Sequence, residues 1–518
     1  MKTHEYDVVI VGSGPAGAAY ARTLHEEAPQ LRVLMVEAGP SLSKPPGLHV
    51  KNLPDPQARA AAQLASQGPV TSLSPESPVP GPGRPGTFLL RPDELAPLAG
   101  MPAAAMSSNV GGMGAHWTCA CPRPGASERI SFLDDGTLDA ALGEAERLLS
   151  VTSEAFADAP FSGDVRERLE HAFHRTGAAA IQPMPLAVRK HPDGTITWSG
   201  TDVVMGPLAE PTTRGDFFEL RDQTLCQRVM LDAGHVTGVE LKDLATGTVT
   251  HVHAPAVVVA ADALRTPQLL FASGVRPRAL GRYLNDQPQV ISAVRLPADV
   301  VQSGAGEAVT GAAVHSGVSW VPYTDEEPFH GQVMQLDASP VPLAEDDPVV
   351  PGSVIGLGWF CATETVEENR VEFDDTSLDH YGMPRMTINY NLTWKDLRVI
   401  EQAKDAVTRA GKVLGTFLDD RPPFLLPAGS SLHYQGSVRM GQYDDGRSVC
   451  GPDSQVWGTE GLYVAGNGVI PTPTACNPTL TSVALAVLGA RSLARGMSAA
   501  LASPYLPDGD RTARDLGT

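Results

Sequence analysis

The first forty residues alternate apolar runs with glycine-rich and polar stretches in the order strand, turn, helix, strand. Tyr6 to Val11 is a nearly continuous β-branched run, which is typical of a strand buried on both faces of a parallel sheet. Residues 18–24 then have the pattern of a helix, and Leu31 to Val36 that of a second buried strand. The pattern predicts a βαβ unit at the start of the chain.

Glycines occupy the turn of this predicted unit. Gly12 permits a tight turn, Gly14 lets the backbone approach a pyrophosphate, and Gly17 lets the helix pack on the sheet. Glu37, at the end of the second strand, can accept hydrogen bonds from ribose hydroxyls. The unit therefore predicts a dinucleotide site, and on these residues alone FAD and NAD are both open.

Apolar spacing predicts further elements along the rest of the chain. They are helices over residues 134–149, 163–176 and 396–418, a hairpin over 229–241, a buried strand over 256–260, and the start of a helix over 266–272. Pro267 fits the first turn of that last helix. We expect these elements to form the scaffold.

Length and charge narrow the class of protein. At 518 residues the chain exceeds the usual limit of a single core, so two packed units are expected, consecutive or interleaved. The 59 acidic and 39 basic residues give a net charge of −20, which argues against nucleic-acid and anionic membrane partners. No apolar run approaches the ~18 residues of a membrane span, and the N-terminus enters a strand without a signal-peptide core. We expect a cytoplasmic protein.

The cysteines predict neither disulfides nor a metal site. None falls in a Cys-x-x-Cys frame, so buried thiols are the expected state and no metal is predicted. The six are Cys119, Cys121, Cys226, Cys361, Cys450 and Cys476.

A stretch over residues 67–91 is dense in proline, serine and glycine. Such a composition cannot pack a core of its own, so we predict a flexible loop. A lid over an active site and a plain surface loop or linker are both open interpretations.

Two further segments carry candidate chemistry. His433 lies in the run SLHYQGSVRMG and Asn477 in LYVAGNGVIPTPTACNPTLT, both of which we expect to be tight loops. Paired across a pocket, an imidazole and a carboxamide could take a proton from an alcohol and hold its oxygen. Taken alone, a loop-capping histidine and a helix-capping asparagine are the simpler interpretations.

A second glycine cluster spans residues 107–119. A backbone with so few side chains can approach a flat ring closely. Here His116 stands beside Trp117, and by itself such a histidine is most often an ordinary packed residue.

Several of these motifs together resemble those of the glucose-methanol-choline (GMC) oxidoreductases, which oxidise alcohols with FAD. The N-terminal fingerprint ending at Glu37 and the stretch ADALRTPQLLFASG from Ala261 are similar to the two family signatures. VGGMGAHWTCACP, from Val110, resembles the segment in which pyranose oxidases attach the flavin to histidine. Segments 359–373 and 381–390 also resemble the pyranose 2-oxidases and the bacterial glycoside 3-oxidases.

The resemblance implies an FAD site. It assigns cofactor-binding positions to Gly12, Gly14, Gly17, Glu37, Asn109, Gly112, His116, Thr118, Cys226, Gly466, Asn467 and Thr479. His116 matches the flavin-linking histidine, although such a histidine can be present without the covalent bond.

The resemblance also implies a catalytic pair, His433 and Asn477, and a substrate segment that contains Gln332 and Gln335. It implies oxidation of a secondary ring hydroxyl, at carbon 2 of a pyranose or carbon 3 of a glycoside, to a ketone. Dioxygen or a quinone would accept the electrons, and the protein would be a monomer or a small homo-oligomer. Two alternatives stay open: a GMC enzyme for a non-sugar alcohol, and a flavin-binding protein without turnover.

The implied fold is α/β, with a Rossmann-type FAD-binding domain interleaved with a substrate-binding domain on a mixed or antiparallel sheet with helices. We predict the FAD-binding domain over residues 1–65, 95–130, 215–290 and 440–518, and the substrate-binding domain over 131–214 and 291–439.

Overall fold

A computed structural model describes most of the chain. The described residues are 4–59, 87–89, 100–157, 159–210, 215, 217–304, 317–336, 350, 352–418 and 422–502. The predicted loop over 67–91 lies outside them, apart from the short strand Thr87–Leu89, which pairs with Ala105–Ser107.

A five-stranded parallel sheet forms the first layer. Its strands are, in spatial order, Phe218–Arg221, Val33–Val36, Val8–Val11, Ala256–Val259 and Leu462–Val464. The three central strands are buried throughout, as their unbroken apolar runs predict. The predicted βαβ unit is confirmed, with the helix over Pro15–Glu27.

Two long helices cover one face of this sheet. Pro15–Glu27 and the C-terminal helix Thr479–Ala502 share one apolar core with the helix Asp135–Leu149. The first two cross closely at Gly489, where a Cβ would collide with the hydroxyl of Tyr20. This crossing brings the start of the C-terminal helix near the glycine turn.

A four-stranded sheet lies beside the parallel one. Its strand order is His4–Glu5, Val249–His253, His235–Asp243 and Thr224–Asp232. The last two strands form the predicted hairpin, with Ala233 and Gly234 in the turn at positive φ.

A seven-stranded sheet builds the second layer. Its main path runs Thr416–Phe417, Gln289–Arg295, Val354–Cys361, Phe329–Leu336, Val318–Val321 and Gln182–Pro183, and Phe424–Leu425 also pairs with Gln289–Arg295. All its pairings are antiparallel. Helices Ser162–Phe173 and Trp394–Leu414 share a core with it.

Smaller elements complete the described residues. They are the hairpin Arg370–Leu378 with Pro384–Asn389, the sheet of Val151–Thr152, Leu186–Lys190 and Ile196–Trp198, and the short helices Thr201–Met205 and Ala298–Gly304. Strands of the parallel and the antiparallel sheets alternate along the chain, which confirms the predicted mixed α/β fold. The exact domain limits stay a prediction.

Three predicted helix ends were wrong, and one of them is the end of the helix expected over 163–176, which stops at Phe173. The helix expected from 266 begins at Asp262, whose carboxylate accepts from the backbone N–H of Leu264 and of Arg265. Pro267 therefore lies inside the helix, and the Ser437 hydroxyl donates to the Ala263 carbonyl that the proline cannot reach.

The helix expected over 396–418 ends at Leu414. Thr393 and Asp396 form a capping box at its start. At its end, a Cβ on Gly415 would collide with the Arg295 carbonyl, and residues 416–417 instead join the antiparallel sheet. Within the described part of the chain, no helix combines the length and the apolar character that a bilayer crossing demands.

Candidate active site

One cavity of about 410 Å³ joins the two groups of residues that the sequence singles out. Gly12, Gly14 and Glu37 line it where the parallel strands end. His433 and Asn477 line the same cavity. The predicted nucleotide turn and the predicted catalytic pair thus belong to one site.

The three glycines have the steric roles that their spacing predicts. At Gly12, φ is 104° and a Cβ would collide with the Ala260 carbonyl. At Gly17, a Cβ would collide with the Gly12 carbonyl, so this glycine allows the helix to pack on the turn. A Cβ at Gly14 would meet nothing within 4 Å, and this glycine lines the cavity. Close approach of a phosphate is therefore possible at Gly14.

The Glu37 carboxylate holds the glycine turn in place through hydrogen bonds. Its carboxylate accepts from the Ser13 hydroxyl at 2.8 Å, the Ser13 N–H at 3.2 Å and the Gly39 N–H at 2.9 Å. Burial raises the pKa of Glu37, and these hydrogen bonds oppose that shift. A contact with a ribose hydroxyl stays a prediction.

Most of the other predicted cofactor positions also line the cavity. They are Gly112, His116, Thr118, Cys226, Gly466, Asn467 and Thr479. Asn109 and Gly17 are not among the lining residues. The buried Asn109 side chain instead donates to the carbonyls of Val110, at 3.0 Å, and Gly112, at 3.3 Å, and so holds the glycine-rich loop together.

The proposed flavin-linking histidine has a defined neighbour. His116 Nε2 lies 2.7 Å from the Ser107 hydroxyl, and both residues line the cavity. His116 is only partly buried. Its imidazole therefore forms part of the cavity wall.

The two candidate catalytic side chains meet directly. Asn477 Nδ2 lies 3.4 Å from His433 Nε2, although 44 positions separate the residues. Asn477 lies two residues before the start of the C-terminal helix. A polar atom of a ligand placed beside the pair, about 3 Å from each nitrogen, could bond to both.

Two glutamines hold this pair from behind. Gln287 Oε1 lies 2.7 Å from His433 Nδ1, and Gln332 Nε2 donates to Asn477 Oδ1 at 2.7 Å. Both glutamines are buried. Each of the two candidate catalytic side chains is thus oriented by a carboxamide on the side away from the shared 3.4 Å contact.

Two buried carboxylates hold the loops that carry the pair. Asp286 accepts from the Gly429 N–H at 2.8 Å and the Ser431 hydroxyl at 2.6 Å, just before His433. Glu128 accepts from two successive N–H groups, those of residues 475 and 476, at 2.7 and 2.9 Å. Burial raises the pKa of each carboxyl, and the hydrogen bonds lower it.

The protein environment keeps His433 neutral. Burial lowers its pKa to about 4, because the charged imidazolium loses solvation. Phe360 packs against the ring, with centroids 5.1 Å apart. A neutral imidazole at ordinary pH can accept a proton.

The predicted substrate residues lie on the strand Phe329–Leu336, and neither is among the residues that line the cavity. Gln332 reaches Asn477, as described above. The Gln335 carboxamide accepts from the Ser162 hydroxyl at 2.6 Å and donates to the Pro160 carbonyl. These bonds tie its strand to the start of the helix Ser162–Phe173.

Sequence reasoning missed three residues that shape the site: Gln287, Asp286 and Glu128. The first two lie in a run of consecutive polar residues, Asn285, Asp286 and Gln287, but only the structure shows that all three are buried. Glu128 carries no comparable pattern. All six cysteines are buried as free thiols, and no cluster able to hold a metal ion occurs among the described residues.

Comparison with known proteins places this site in a family. Two models described as GMC oxidoreductase match residues 206–289 and 365–486, and a model described as lycopene cyclase protein matches 7–50. A C-glycoside 3-oxidase from Arthrobacter globiformis is 57% identical over 504 residues, covering 96% of both chains. The chain belongs to the GMC oxidoreductase family.

Other GMC-type relatives are similar over nearly the whole length. A C-glycoside 3-oxidase from Microbacterium trichothecenolyticum is 55% identical and covers 97% of this chain and 100% of its own. A pyranose 2-oxidase from Tricholoma matsutake is 31% identical over 95% of this chain and 94% of its own. The resemblance inferred from the motifs is confirmed.

Solved structures agree on the fold of this GMC oxidoreductase. Formate oxidase from Aspergillus oryzae aligns with a TM-score of 0.66 over 97% of this chain and all of its own, at 15% identity. Pyridoxine 4-oxidase from Mesorbium loti aligns with a TM-score of 0.62 over 94% and 99%, at 19% identity.

Membership of the GMC family implies FAD as the cofactor, and the residues present fit it. Gly14 and Gly466 both line the cavity, and a Cβ at either would meet nothing within 4 Å. Glycines on two separate segments thus leave room along the cavity wall, as the two-sided binding of a long dinucleotide requires.

Proposed function

We propose that this protein oxidises the carbon 3 hydroxyl of a glycoside to a ketone, with FAD as the hydride acceptor. The single observation that carries the chemistry is the contact of His433 Nε2 with Asn477 Nδ2 at 3.4 Å, in the cavity that begins at Gly14. The choice of carbon 3 over carbon 2 is supported by the 57% and 55% identity to C-glycoside 3-oxidases, against 31% to a pyranose 2-oxidase.

The proposed roles follow from the chemistry of the two side chains. Hydride loss from a carbinol builds negative charge on its oxygen. Neutral His433 would take the hydroxyl proton on Nε2, and Asn477 would donate Nδ2–H to the same oxygen. Bound FAD would supply the electron-accepting ring. The protein would contribute orientation and proton transfer.

Residues at the other end would hold the cofactor. Gly12 and Gly14 would let the backbone N–H groups and the helix that begins at Pro15 face the pyrophosphate. Glu37 would accept from ribose, and Cys226 would lie near the adenine. Asn467 and Thr479, which belong to the C-terminal part of the chain, would contact the remainder of the cofactor.

A covalent bond between His116 and the flavin is a separate part of the proposal. It is supported by the position of the imidazole on the cavity wall and by the resemblance of its segment to that of pyranose oxidases. Acid precipitation of the holoenzyme tests it. Flavin fluorescence that stays with the polypeptide supports the bond, and flavin that is wholly released contradicts it.

The electron acceptor and the assembly state are also proposed. We propose dioxygen or a quinone as acceptor, and a monomer or small homo-oligomer in the cytoplasm. Oxygen consumption compared with benzoquinone reduction distinguishes the acceptors, and light scattering coupled to size exclusion gives the oligomeric state.

Anaerobic reduction of the flavin tests the central proposal. The holoenzyme is mixed with a C-glucoside, an aryl O-glucoside and free glucose, and the loss of oxidised flavin absorbance is followed. We expect the glycosides to reduce the flavin and the product to be the 3-keto sugar by NMR. A 2-keto product contradicts the regiochemistry, and no reduction by any sugar contradicts the whole proposal.

A further inference from the structure

Gln287 lies against the candidate base and is fully buried. It stands just before the strand Gln289–Arg295, at the edge where this sheet approaches the His433 loop. Its side-chain oxygen is 2.7 Å from His433 Nδ1. Its side-chain nitrogen donates to the Cys476 carbonyl at 2.8 Å and to the Thr474 hydroxyl at 3.2 Å.

These partners determine which way the Gln287 carboxamide points. A backbone carbonyl can only accept, so the atom that faces Cys476 must be the nitrogen of the amide. The Thr474 hydroxyl donates to Gln435 Oε1 at 2.9 Å, which leaves its oxygen to accept from Gln287. The amide oxygen must therefore face His433.

The orientation of Gln287 in turn decides the tautomer of His433. Because a carboxamide oxygen can only accept, His433 Nδ1 must carry the ring proton. His433 Nε2 is then the nitrogen without a proton, and its lone pair faces Asn477 Nδ2 at 3.4 Å. The proton-accepting atom faces the proposed substrate position.

We propose that Gln287 is the positioning residue that keeps His433 in the Nδ1–H tautomer, and so presents Nε2 as the base for the sugar hydroxyl. This proposal rests on the proposed function. The same amide links both catalytic loops, since it touches His433 on one side and the residue before Asn477 on the other. Loss of Gln287 would therefore disturb the base and its partner together.

The neutral character of glutamine is part of the assignment. A carboxylate in its place would also accept from Nδ1–H, but its charge would favour the protonated imidazolium and make the base less available. Another imidazole, that of His330, lies beyond Phe360, and burial lowers its pKa to about 3, so it carries no charge near His433 at ordinary pH.

Two substitutions separate positioning from packing. Gln287→Leu removes the acceptor for Nδ1–H, and we expect the anaerobic flavin-reduction rate to fall about 10- to 100-fold, with the sugar KM within about threefold. Gln287→Glu keeps an acceptor, and we expect the acid limb of the kcat/KM profile to move up by about one pH unit or more. An unmoved limb would show that the side chain at position 287 does not face His433 Nδ1.

Asn369→Leu is the matched control. Asn369 is also a buried amide, but both of its side-chain bonds go to the backbone of Asn391, and it does not line the cavity. We expect this variant to lose thermal stability and keep the reduction rate. If Gln287→Leu does not retain flavin, Thr474→Val removes one anchor of the same amide and should slow reduction about threefold to tenfold.

The His433 and Gln287 variants test the proposed function and the positioning role of Gln287 separately. A His433→Ala variant that reduces flavin at the normal rate contradicts the role of His433 itself. If His433→Ala is slow but both Gln287 variants keep the wild-type rate and an unmoved acid limb, only the positioning role of Gln287 is overturned.

Discussion

The two ends of the cavity are built in different ways. The core of the nucleotide end comes from one short stretch, in which Gly12, Gly14 and Glu37 follow the parallel strands, and the loop at Gly466 adds a second segment. The catalytic end is assembled from segments far apart in sequence: 146 positions separate His433 from Gln287, and 145 separate Asn477 from Gln332. The shape of the nucleotide end is set mainly by the backbone, and that of the catalytic end mainly by hydrogen bonds between side chains.

This difference predicts that cofactor binding and turnover can be separated by mutation. A phosphate site built from backbone atoms should tolerate side-chain substitutions elsewhere, as long as the glycine turn keeps its conformation. A buried network of carboxamides fails when one member is lost, because the others are left with unpaired polar atoms. Substitutions at the catalytic end should therefore lower the turnover rate while flavin stays bound.

The largest expected effect is that of His433→Ala. Loss of the proposed proton acceptor should lower the flavin-reduction rate about 10³-fold. The flavin content per polypeptide should stay near that of the wild type, since the proposed cofactor contacts come from the glycine turn and the Gly466 loop and not from the His433 side chain. Stopped-flow reduction and the ratio of flavin to protein absorbance check both statements. Loss of flavin together with activity would contradict the separation.

The converse substitution is Gly14→Val. Its side chain would point into the cavity where the pyrophosphate is proposed to lie, so we expect flavin affinity to fall at least about tenfold while the apoprotein stays folded. Ultrafiltration of free FAD and circular dichroism measure the two quantities. Gly163→Ala is the control, because its Cβ also meets nothing within 4 Å but lies on the helix Ser162–Phe173 away from the cavity. Normal FAD binding by Gly14→Val would contradict a phosphate site built from backbone atoms.

A smaller effect is expected for Gln332→Leu. This change frees the Asn477 carboxamide to rotate, since Gln332 is the donor to its oxygen. We expect the reduction rate to fall about tenfold with flavin content unchanged. Gln182→Leu, on the edge strand of the same sheet, should leave the rate within a factor of about two. Equal rates for both variants would show that Asn477 needs no such support.

The smallest effect on kcat/KM is expected when the pH changes near neutrality. Because burial lowers the pKa of His433 to about 4, the base is already deprotonated well below pH 7. The kcat/KM of the free enzyme should be nearly flat on its acid side down to about pH 5, and should fall about tenfold per unit below pH 4 as His433 gains a proton. Steady-state rates with a glycoside across pH 3.5 to 8 check this. An acid limb near pH 6.5 would indicate an unperturbed histidine.

Local patterns predicted much of the fold but not its helix ends. The βαβ unit, the hairpin at Ala233 and the long amphipathic helix follow from periodicity within a few neighbouring residues. The stop at Leu414 depends on a distant group, the Arg295 carbonyl, and Pro267 lies inside its helix because the distant Ser437 hydroxyl bonds to the Ala263 carbonyl. Such contacts cannot be read from neighbouring residues alone.

The sequence by itself determined the family, the expectation of a flavin and the two groups of residues that line the cavity. The nucleotide turn follows from residue types at fixed local spacing, whereas the family, the flavin and the candidate catalytic pair follow from the resemblance of the motifs to those of the GMC oxidoreductases. Only the tertiary structure decided that Gln287 and Gln332 orient the catalytic pair and that Gln335 supports packing. The physical reason is that a hydrogen bond between side chains needs atoms within about 3 Å, and only folding brings such remote positions together.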